Sequence, residues 1–275
     1  MLLNDLPKYI ECKKIYNIKK KNILFQSIYS NSKAVKNQSI YIIDAKKKIK
    51  QEYIRESITK GAVALITTRY YKNFLIPQYI VKNINKNKKH LLCKLFPKHP
   101  LNSVAVTGTN GKTSVVWFIS QICELNNEFI KTYGTLGYYK NGKKILNSSL
   151  TTPELEILYQ SAFFKKKKNL YNFAFEVSSH SLAQNRIKNF PIDIAAITNI
   201  SHDHLDYHKT FENYKKSKLR LFTHELKKNG IAIINDNIKG IQTLKNKLIK
   251  KNQVISYGKK NSDVNIIYIK NKIEI

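Results

Sequence analysis

The sequence predicts an α/β protein in two parts: a small N-terminal α/β domain and a larger P-loop-type domain built on a parallel sheet. In the N-terminal part, short β-branched runs alternate with helix-like stretches, and these runs lie at 39–43, 62–68 and 78–82. In the second part the strand–helix alternation is regular, with strand-like runs at 103–107, 172–178, 193–199, 230–235 and 254–258. Pro97 and Pro100 interrupt the chain between the parts, so we expect domains at 1–98 and 99–275.

The N-terminal elements follow from local signals. A helical stretch between the first two strands ends near Lys60-Gly61, where glycine suits a helix C-cap. A Lys-rich helix-like stretch covers about 84–96. In the second part, alternation of strands and helices implies a parallel sheet covered by helices, whose ligands gather at the carboxyl ends of the strands. Residues 264–275 are strand-like and close the sequence.

Composition favours a cytoplasmic protein with no membrane and no nucleic acid among its partners. No apolar run approaches the length of a transmembrane helix, and the N-terminus lacks a signal-peptide pattern. The three cysteines are scattered and have no metal-like spacing. The formal net charge is +31, yet only four of the 49 basic residues are arginine. Lysine, asparagine and isoleucine all have A/T-rich codons, so base bias explains the charge better than nucleic-acid binding. The run Lys165–Lys168 is then a solvated loop or helix end.

A glycine turn between a buried strand and a helix predicts a phosphate loop. The turn is Gly108-Thr109-Asn110-Gly111, and it is followed by Lys112, Thr113 and Ser114 at the start of an apolar helix. Glycines let backbone N–H groups approach phosphate oxygens, and the helix N-terminus adds partial positive charge. We expect Lys112 to reach the β- and γ-phosphates of ATP and the Thr113 hydroxyl to bind Mg²⁺. The glycine spacing is shorter than in the common G-x-x-x-x-G-K-[ST] pattern, so the loop alone is a moderately specific signal.

Two further strand ends carry polar side chains. Glu176 ends an apolar strand, where a carboxylate is costly unless it is paired or binds a metal. It is either a second Mg²⁺ ligand or the partner of a lysine. Residues 198–208 hold three histidines and two aspartates, so a zinc hydrolase is an alternative interpretation of this segment. Tyr207 interrupts the zinc spacing, however, and His224 is the one later histidine, so Mg²⁺ bound with phosphates is the better interpretation.

Taken together, these segments resemble the Mur ligases, most closely those of the MurE type. The resemblance rests on the order and spacing of Val-Thr-Gly-Thr-Asn-Gly-Lys-Thr (106–113), Leu-Thr-Thr-Pro (150–153), Glu-Val-Ser-Ser-His-Ser-Leu (176–182), Gln-Asn-Arg (184–186), Thr-Asn-Ile-Ser-His-Asp-His-Leu-Asp-Tyr-His (198–208) and the residues Tyr214, Lys218 and Phe222. It covers about residues 25–258.

The resemblance implies an ATP-dependent amide ligase of peptidoglycan synthesis. Such an enzyme phosphorylates the D-glutamyl carboxylate of UDP-MurNAc-L-Ala-D-Glu, and the amine of meso-diaminopimelate or L-lysine then attacks the acyl phosphate. Positioning and charge neutralisation carry the rate. The resemblance assigns the triphosphate to Gly108–Ser114 and Mg²⁺ to Thr113, Glu176, His204 and Lys218. It assigns the muramoyl-dipeptide to Thr151, Thr152, Ser178, Gln184 and Arg186.

Three other implications of the resemblance are less direct. Lys218 corresponds to a carbamylated lysine, in which CO₂ turns an amine into a carboxylate. Ser32 corresponds to a uridine-binding hydroxyl, although the glycine-rich segment expected next reads Asp44-Ala-Lys-Lys-Lys-Ile-Lys here. Asn235 corresponds to an adenine-side asparagine.

The family also has a Rossmann-like C-terminal domain to which no segment here corresponds. We therefore expect either a ligase completed by a separate chain, or a truncated, non-catalytic nucleotide- or UDP-sugar-binding protein.

Overall fold

The computed structural model describes residues 1–18, 23–44, 50–163, 171–258, 262–265, 267–269 and 272–274. The lysine run 165–168 lies outside these ranges, and so do residues 45–49 of the segment that begins at Asp44, where the resemblance leads us to expect glycines. The described residues form two compact units, one of Met1–His99 with Phe163 and the other of Pro100–Ala162 with the described residues from 171 onwards. No helix of the described residues is long and apolar enough to span a membrane.

The first unit contains a five-stranded sheet. Its elements are β1 (Cys12–Tyr16), β2 (Ser27–Tyr29), β3 (Ser39–Ile43), α1 (Gln51–Thr59), β4 (Ala62–Thr67), β5 (Gln78–Val81) and α2 (Ile84–Leu95), with 3-10 turns at Leu3–Lys8 and Ser32–Ala34. The strand order is β1-β5-β4-β3-β2, and only β1 runs antiparallel to its neighbour. The three predicted strands and both predicted helices are confirmed. The sequence did not predict β1, whose central residues are exposed lysines, or β2, which has three residues.

The second unit is larger. Its first half contains β6 (Ser103–Thr107), α3 (Lys112–Leu125), β7 (Ile130–Gly134), β8 (Gly137–Lys140), β9 (Lys143–Leu146), α4 (Leu155–Ala162) and β10 (Asn172–Glu176). Its second half contains α5 (Ser179–Ala183), β11 (Ile192–Ile197), α6 (Leu205–His208), α7 (Phe211–Arg220), a π-helical turn (Leu221–Glu225), β12 (Leu226–Asn235), α8 (Gln242–Leu248), β13 (Gln253–Gly258), β14 (Val264–Asn265), β15 (Ile267–Ile269) and β16 (Lys272–Glu274).

A nine-stranded sheet organises this unit in the order β14-β13-β12-β11-β6-β10-β7-β8-β9. The strands from β14 to β7 are parallel, which confirms the predicted parallel sheet, although β7 was not among the predicted strands. β8 and β9 add an antiparallel hairpin at one edge. Two predicted strands are shorter than expected, because β10 ends at Glu176 and β11 ends at Ile197. The strand-like segment 264–275 forms the short β14 and the separate hairpin β15–β16.

The direction of each crossover sets which face a helix covers. Connections between parallel strands are right-handed, so the helix of a connection that moves one way across the sheet lies on the opposite face from the helix of a connection that moves the other way. The crossover from β6 to β7 runs one way and carries α3, whereas those from β10 to β11, β11 to β12 and β12 to β13 run the other way. We therefore assign α3 to one face and α5, α7 and α8 to the other.

Each face has its own core. On the α3 face the buried cluster contains Val106, Val116, Ile130, Ala174 and Ala196. On the other face, Phe173 and Phe175 alternate with Ala174 along β10 and contact Phe190. The parity of β10 places Glu176 on the α3 face, next to the start of that helix.

Candidate functional site

The predicted phosphate loop lies between β6 and α3. Gly108 and Gly111 have φ of 149° and 82°, a region that favours glycine. A Cβ on Gly108 would lie 1.8 Å from Thr198 Oγ1, so no larger residue fits between these strand ends. Gly111 is the N-cap of α3, a 14-residue helix whose first N–H groups have no intrahelical acceptor. The loop thus has the backbone geometry of an anion cradle, with Ser114 exposed in its first helical turn.

The loop is held by hydrogen bonds to Thr198 and Asn199, the two residues that follow β11. Thr109 N and Asn110 N donate to the backbone oxygen and Oδ1 of Asn199, each at 3.0 Å. Thr198 Oγ1 donates to Asn110 O at 2.6 Å. The Thr109 hydroxyl is 2.9 Å from the hydroxyl of Tyr214 on α7. Thr109 and Asn110, which were predicted to bind nucleotide, fix the shape of the loop through these contacts.

Two lysines meet at one carbonyl oxygen of the loop. Lys112 Nζ donates to Gly108 O at 3.0 Å and to Thr109 O at 2.9 Å. Lys218 Nζ, on α7, donates to the same Gly108 O at 2.6 Å, and Lys218 is only 2% exposed. Burial lowers the pKa of Lys112. Burial, assisted by the positive charge of Lys112, lowers the pKa of Lys218 from 10.5 to about 7.

Glu176 is buried at the end of β10, where it accepts three hydrogen bonds. Thr113 Oγ1 donates to Oε2 at 2.9 Å, and Thr135 donates to Oε1 from its backbone N at 2.7 Å and to Oε2 from its hydroxyl at 3.3 Å. A Cβ on Gly134 would lie 2.0 Å from Oε1, so glycine leaves the room that this carboxylate needs. The predicted pair Thr113 and Glu176 is thus brought together. The sequence did not reveal Gly134 and Thr135, which precede an unpredicted hairpin.

A shallow, half-open pocket lies beside this pair. Its walls come from the start of α3 and from β7 and β8, and they comprise Thr113, Val116, Trp117, Thr132, Gly134, Leu136, Gly137, Tyr139 and Glu176. Trp117 and Tyr139 contact edge to face across it, with ring centroids 5.4 Å apart.

His204 belongs to an aromatic cluster on the other side of the loop. Its Nε2 lies 3.4 Å from Asp203 Oδ2, and its ring centroid is 4.8 Å from that of His180 and 6.3 Å from that of Tyr214. His208 is packed against His180 and Tyr214, and its buried Nε2 has no hydrogen-bond partner. Burial lowers the pKa of both His180 and His208.

The donors present suit a hard cation. The Thr113 hydroxyl and the Glu176 carboxylate are the oxygen ligands that Mg²⁺ prefers, and they are hydrogen-bonded at the helix N-terminus where phosphates would lie. His204 contacts Asp203, His180 and Tyr214, and the Lys218 amino group donates to Gly108 O. Within the described ranges, no three His, Cys, Asp or Glu side chains are gathered as a metal site.

Most of the predicted muramoyl-dipeptide residues form a second connected group. Thr152 is buried, and its hydroxyl donates to Glu176 O and accepts from Ser178 N, each at 2.9 Å. Arg186 Nη1 donates to Thr152 O at 2.7 Å, and its Nε donates to Gln184 Oε1 at 2.9 Å. Thr151 joins through Thr135, whose hydroxyl lies 3.2 Å from that of Thr151. Thr135 therefore links Thr151 to Glu176.

Two remaining predicted residues have other surroundings. Asn235, at the end of β12, donates to Thr198 O at 2.5 Å and accepts from Asn237 N at 2.9 Å. Ser32 lies in the first unit, where it is 5% exposed and its hydroxyl donates to Glu56 Oε2 at 2.6 Å.

Comparisons with known proteins agree with this architecture. Residues 106–274, more than half of the chain, match the Mur ligase middle domain. UDP-N-acetylmuramoyl-L-alanyl-D-glutamate--2,6-diaminopimelate ligase of Rickettsia montanensis is 39% identical over 238 residues, covering 84% of this chain and 49% of that protein. A solved structure of a ligase with the same name aligns at 25% identity and a TM-score of 0.68, covering 88% of this chain and 50% of the other.

The MurF ligase of Thermotoga maritima, solved in complex with ADP, has the same fold at 19% identity and a TM-score of 0.57, covering 92% of this chain and 55% of that one. The chain thus spans about half the length of the relatives that it matches. With its order of strands, its loop and its family match, the chain belongs to the Mur ligase family.

Proposed function

We propose that this chain provides the ATP-binding and acceptor-binding parts of an amide ligase. The enzyme joins a diamino acid to the D-glutamyl carboxylate of UDP-MurNAc-L-Ala-D-Glu. Because the Rickettsia relative is named for 2,6-diaminopimelate, that is the diamino acid to test first. The observation that carries the proposal is the junction at Gly108, where a glycine loop, a helix N-terminus and the amino groups of Lys112 and Lys218 converge.

This junction suits a triphosphate. Lys112 and Lys218 place two amino groups within hydrogen-bond distance of one oxygen, and polyanions are stabilised by such an arrangement at a helix N-terminus. When bound, ATP supplies the phosphoryl group that converts the substrate carboxylate into an acyl phosphate. The protein orients the reacting groups and neutralises charge; it needs no covalent chemistry of its own.

Thr113 and Glu176 would hold Mg²⁺, with His204 and a carbamylated Lys218 on the opposite side of the loop. A lysine accepts CO₂ only as the neutral amine, and burial of Lys218 favours that form. The carbamate would then place a negative charge where the neutral amine had none, next to Lys112.

The acceptor would be held by the group around Thr152. Arg186 is the group suited to a substrate carboxylate, because its planar guanidinium binds carboxylates through two parallel hydrogen bonds. Its present contacts to Thr152 O and Gln184 fix the plane of that guanidinium. Ser32 in the first unit would contact the uridine end.

Nucleotide binding is tested by isothermal titration of the chain with ATP and Mg²⁺. Lys112→Ala removes the ammonium group at the loop, and we expect it to weaken ATP binding at least tenfold. The matched control is Lys247→Ala, since Lys247 is exposed on α8, away from the loop. Equal affinity of the wild-type chain and the Lys112→Ala variant would refute the phosphate-loop assignment.

Ligase activity is tested by phosphate release with ATP, UDP-MurNAc-L-Ala-D-Glu and either 2,6-diaminopimelate or lysine. The assay is run with the chain alone and then with the chain plus a second polypeptide. The second polypeptide comprises the part of the Rickettsia relative that does not align with this chain. We expect turnover in the second case. ATP binding without turnover in either case would instead identify a non-catalytic nucleotide-binding protein.

A further inference from the structure

Half of the α3 face of the large sheet has no helix over it among the described elements. Parallel sheets normally have both faces covered, because their strands are apolar on both sides. Here α3 covers β6, β10 and β7, whereas α5, α7 and α8 belong to the opposite face by the direction of their crossovers. α3 also reaches Ala196 of β11 and Ile233 of β12. The rest of these two strands and β13 have no helix over them on the α3 side within the described part of the chain.

The burial of alternate residues shows this directly. Along β12, Ala232 and Ile234 face the covered side and are fully buried, while Ile231 and Ile233 face the α3 side and are only partly buried. The neighbouring strands continue this partly buried row, because Ile194 pairs with Ile231 and Ile255 pairs with Ile233. An apolar row thus crosses three strands and remains partly open to solvent.

The flank of α3 continues the same surface. Val115 and Ile119 pack with Ile233 in the core cluster, which places this side of the helix next to the open strands. Further out along the helix, Phe118, Ile122 and Leu125 are 61%, 58% and 83% exposed. Large apolar side chains that are exposed together on one element mark an interaction surface.

The open area has the dimensions of one helix. Neighbouring strands lie about 4.8 Å apart, so β11 to β13 span about 10 Å, close to the diameter of a helix with its side chains. The space is bounded on one side by α3, which would pack against a second helix through Phe118 and Ile122. An amphipathic helix would bury its apolar stripe on this surface.

We propose that this apolar surface docks an amphipathic helix. The helix belongs to the part of a Mur ligase that, in the Rickettsia relative, lies outside the stretch matched by this chain. The surface is formed by Ile194, Ile231, Ile233, Ile255, Phe118 and Ile122. The Rickettsia relative carries about as many residues outside the match as within it, which supplies the polypeptide. The proposal rests on membership of the family and on the exposed face, and it does not depend on the proposed activity.

Binding is tested by titrating the chain with the polypeptide comprising the unmatched part of the Rickettsia montanensis relative. Ile122→Asp places a charge on the α3 flank of the surface, and we expect it to weaken binding at least tenfold. Ile249→Asp is the matched control, since Ile249 is 62% exposed and follows α8 on the opposite face. An equal effect of the two substitutions, or no effect of either, overturns the proposal.

A second measurement does not require the added polypeptide to fold alone. In a chimera, this chain replaces the matched stretch of the Rickettsia relative, and hydroxyl-radical labelling of Phe118 and Ile122 is compared with labelling of the chain by itself. We expect strong labelling in the chain and protection in the chimera. Equal labelling overturns the proposal. Dimerisation of the chain alone, abolished by Ile122→Asp in sedimentation experiments, would also overturn it by identifying a second copy as the occupant.

Discussion

Replacing Lys218 with methionine removes a buried amino group and should change how stability depends on pH. Lys218 is 2% exposed, and its amine lies 4.7 Å from the centre of the Tyr214 ring, so methionine fits the largely apolar surroundings. In the folded protein the pKa of Lys218 is about 7, against 10.5 ordinarily. Between these values the unfolded chain binds a proton that the folded chain does not.

The sign follows from linkage. Stability rises with pH wherever the unfolded state binds more protons, so the Lys218 penalty is complete below pH 7 and is relieved as the pH rises towards 10.5. From pH 7 to pH 9 the relief amounts to about 2 kcal/mol in the free energy of unfolding. The other shifted lysines are common to both proteins, so the difference between wild type and variant isolates this group.

The assay is urea unfolding of wild type, Lys218→Met and Lys247→Met at pH 7, 8 and 9. We expect the wild type and the exposed control to gain stability over this interval by about 2 kcal/mol more than Lys218→Met does. Parallel pH profiles for wild type and Lys218→Met would show that the Lys218 amine is not held neutral by burial. Carbamylation requires the neutral amine, and at pH 7.5 a pKa of about 7 leaves roughly three quarters of the Lys218 amine neutral. Parallel profiles would therefore also remove this support for carbamylation.

Three further substitutions test the geometry around Glu176. Gly134→Ala places a methyl group 2.0 Å from Glu176 Oε1, and we expect a loss of about 1–3 kcal/mol in unfolding free energy, measured in urea, together with weaker Mg²⁺-dependent ATP binding in calorimetry. Thr152→Val removes the hydroxyl that bonds the backbone oxygen of Glu176 and the backbone N–H of Ser178. We expect it to lower the free energy of unfolding, measured by thermal unfolding, by about 1–3 kcal/mol. The control Thr151→Val should lower it by less than about 0.5 kcal/mol. Arg186→Lys loses the planar fork, so calorimetry should show weaker binding of UDP-MurNAc-L-Ala-D-Glu with unchanged ATP affinity.

The sequence was sufficient to predict the parallel sheet and the pairing of the phosphate loop with Glu176. Buried parallel strands are continuous apolar runs bounded by turns, so β6, β10 and β11 could be located and their ends assigned to one edge. The hairpin β8–β9 could not be predicted, because its residues Lys143–Leu146 are all exposed and do not alternate. Thr135 was missed for the same reason, since it lies in the turn that leads into this hairpin.

The contacts of side chains could be predicted less well than their positions. Thr109 and Asn110 were expected to face a phosphate, yet Thr109 also contacts Tyr214, and Asn110 is bonded to Thr198 and Asn199. These partners lie about 90 to 105 residues away in sequence, and a local pattern contains no information about them. Similarly, the sequence did not show that Lys112 and Lys218 share the Gly108 carbonyl oxygen.

One strand register brings the distant parts of the site together. Glu176 on β10 is paired with Val106 on β6, and Ile197 on β11 is paired with Thr107, so all three strands end at the same level beneath the loop. Side chains alternate along a strand, and a shift of β10 by one residue would exchange its two faces. The carboxylate of Glu176 would then enter the aromatic core that Phe173 and Phe175 occupy, and Thr113 would lose its partner. The apolar alternation of β10 therefore fixes the site as firmly as the polar residues do, because burying a carboxylate among phenylalanines costs several kcal/mol.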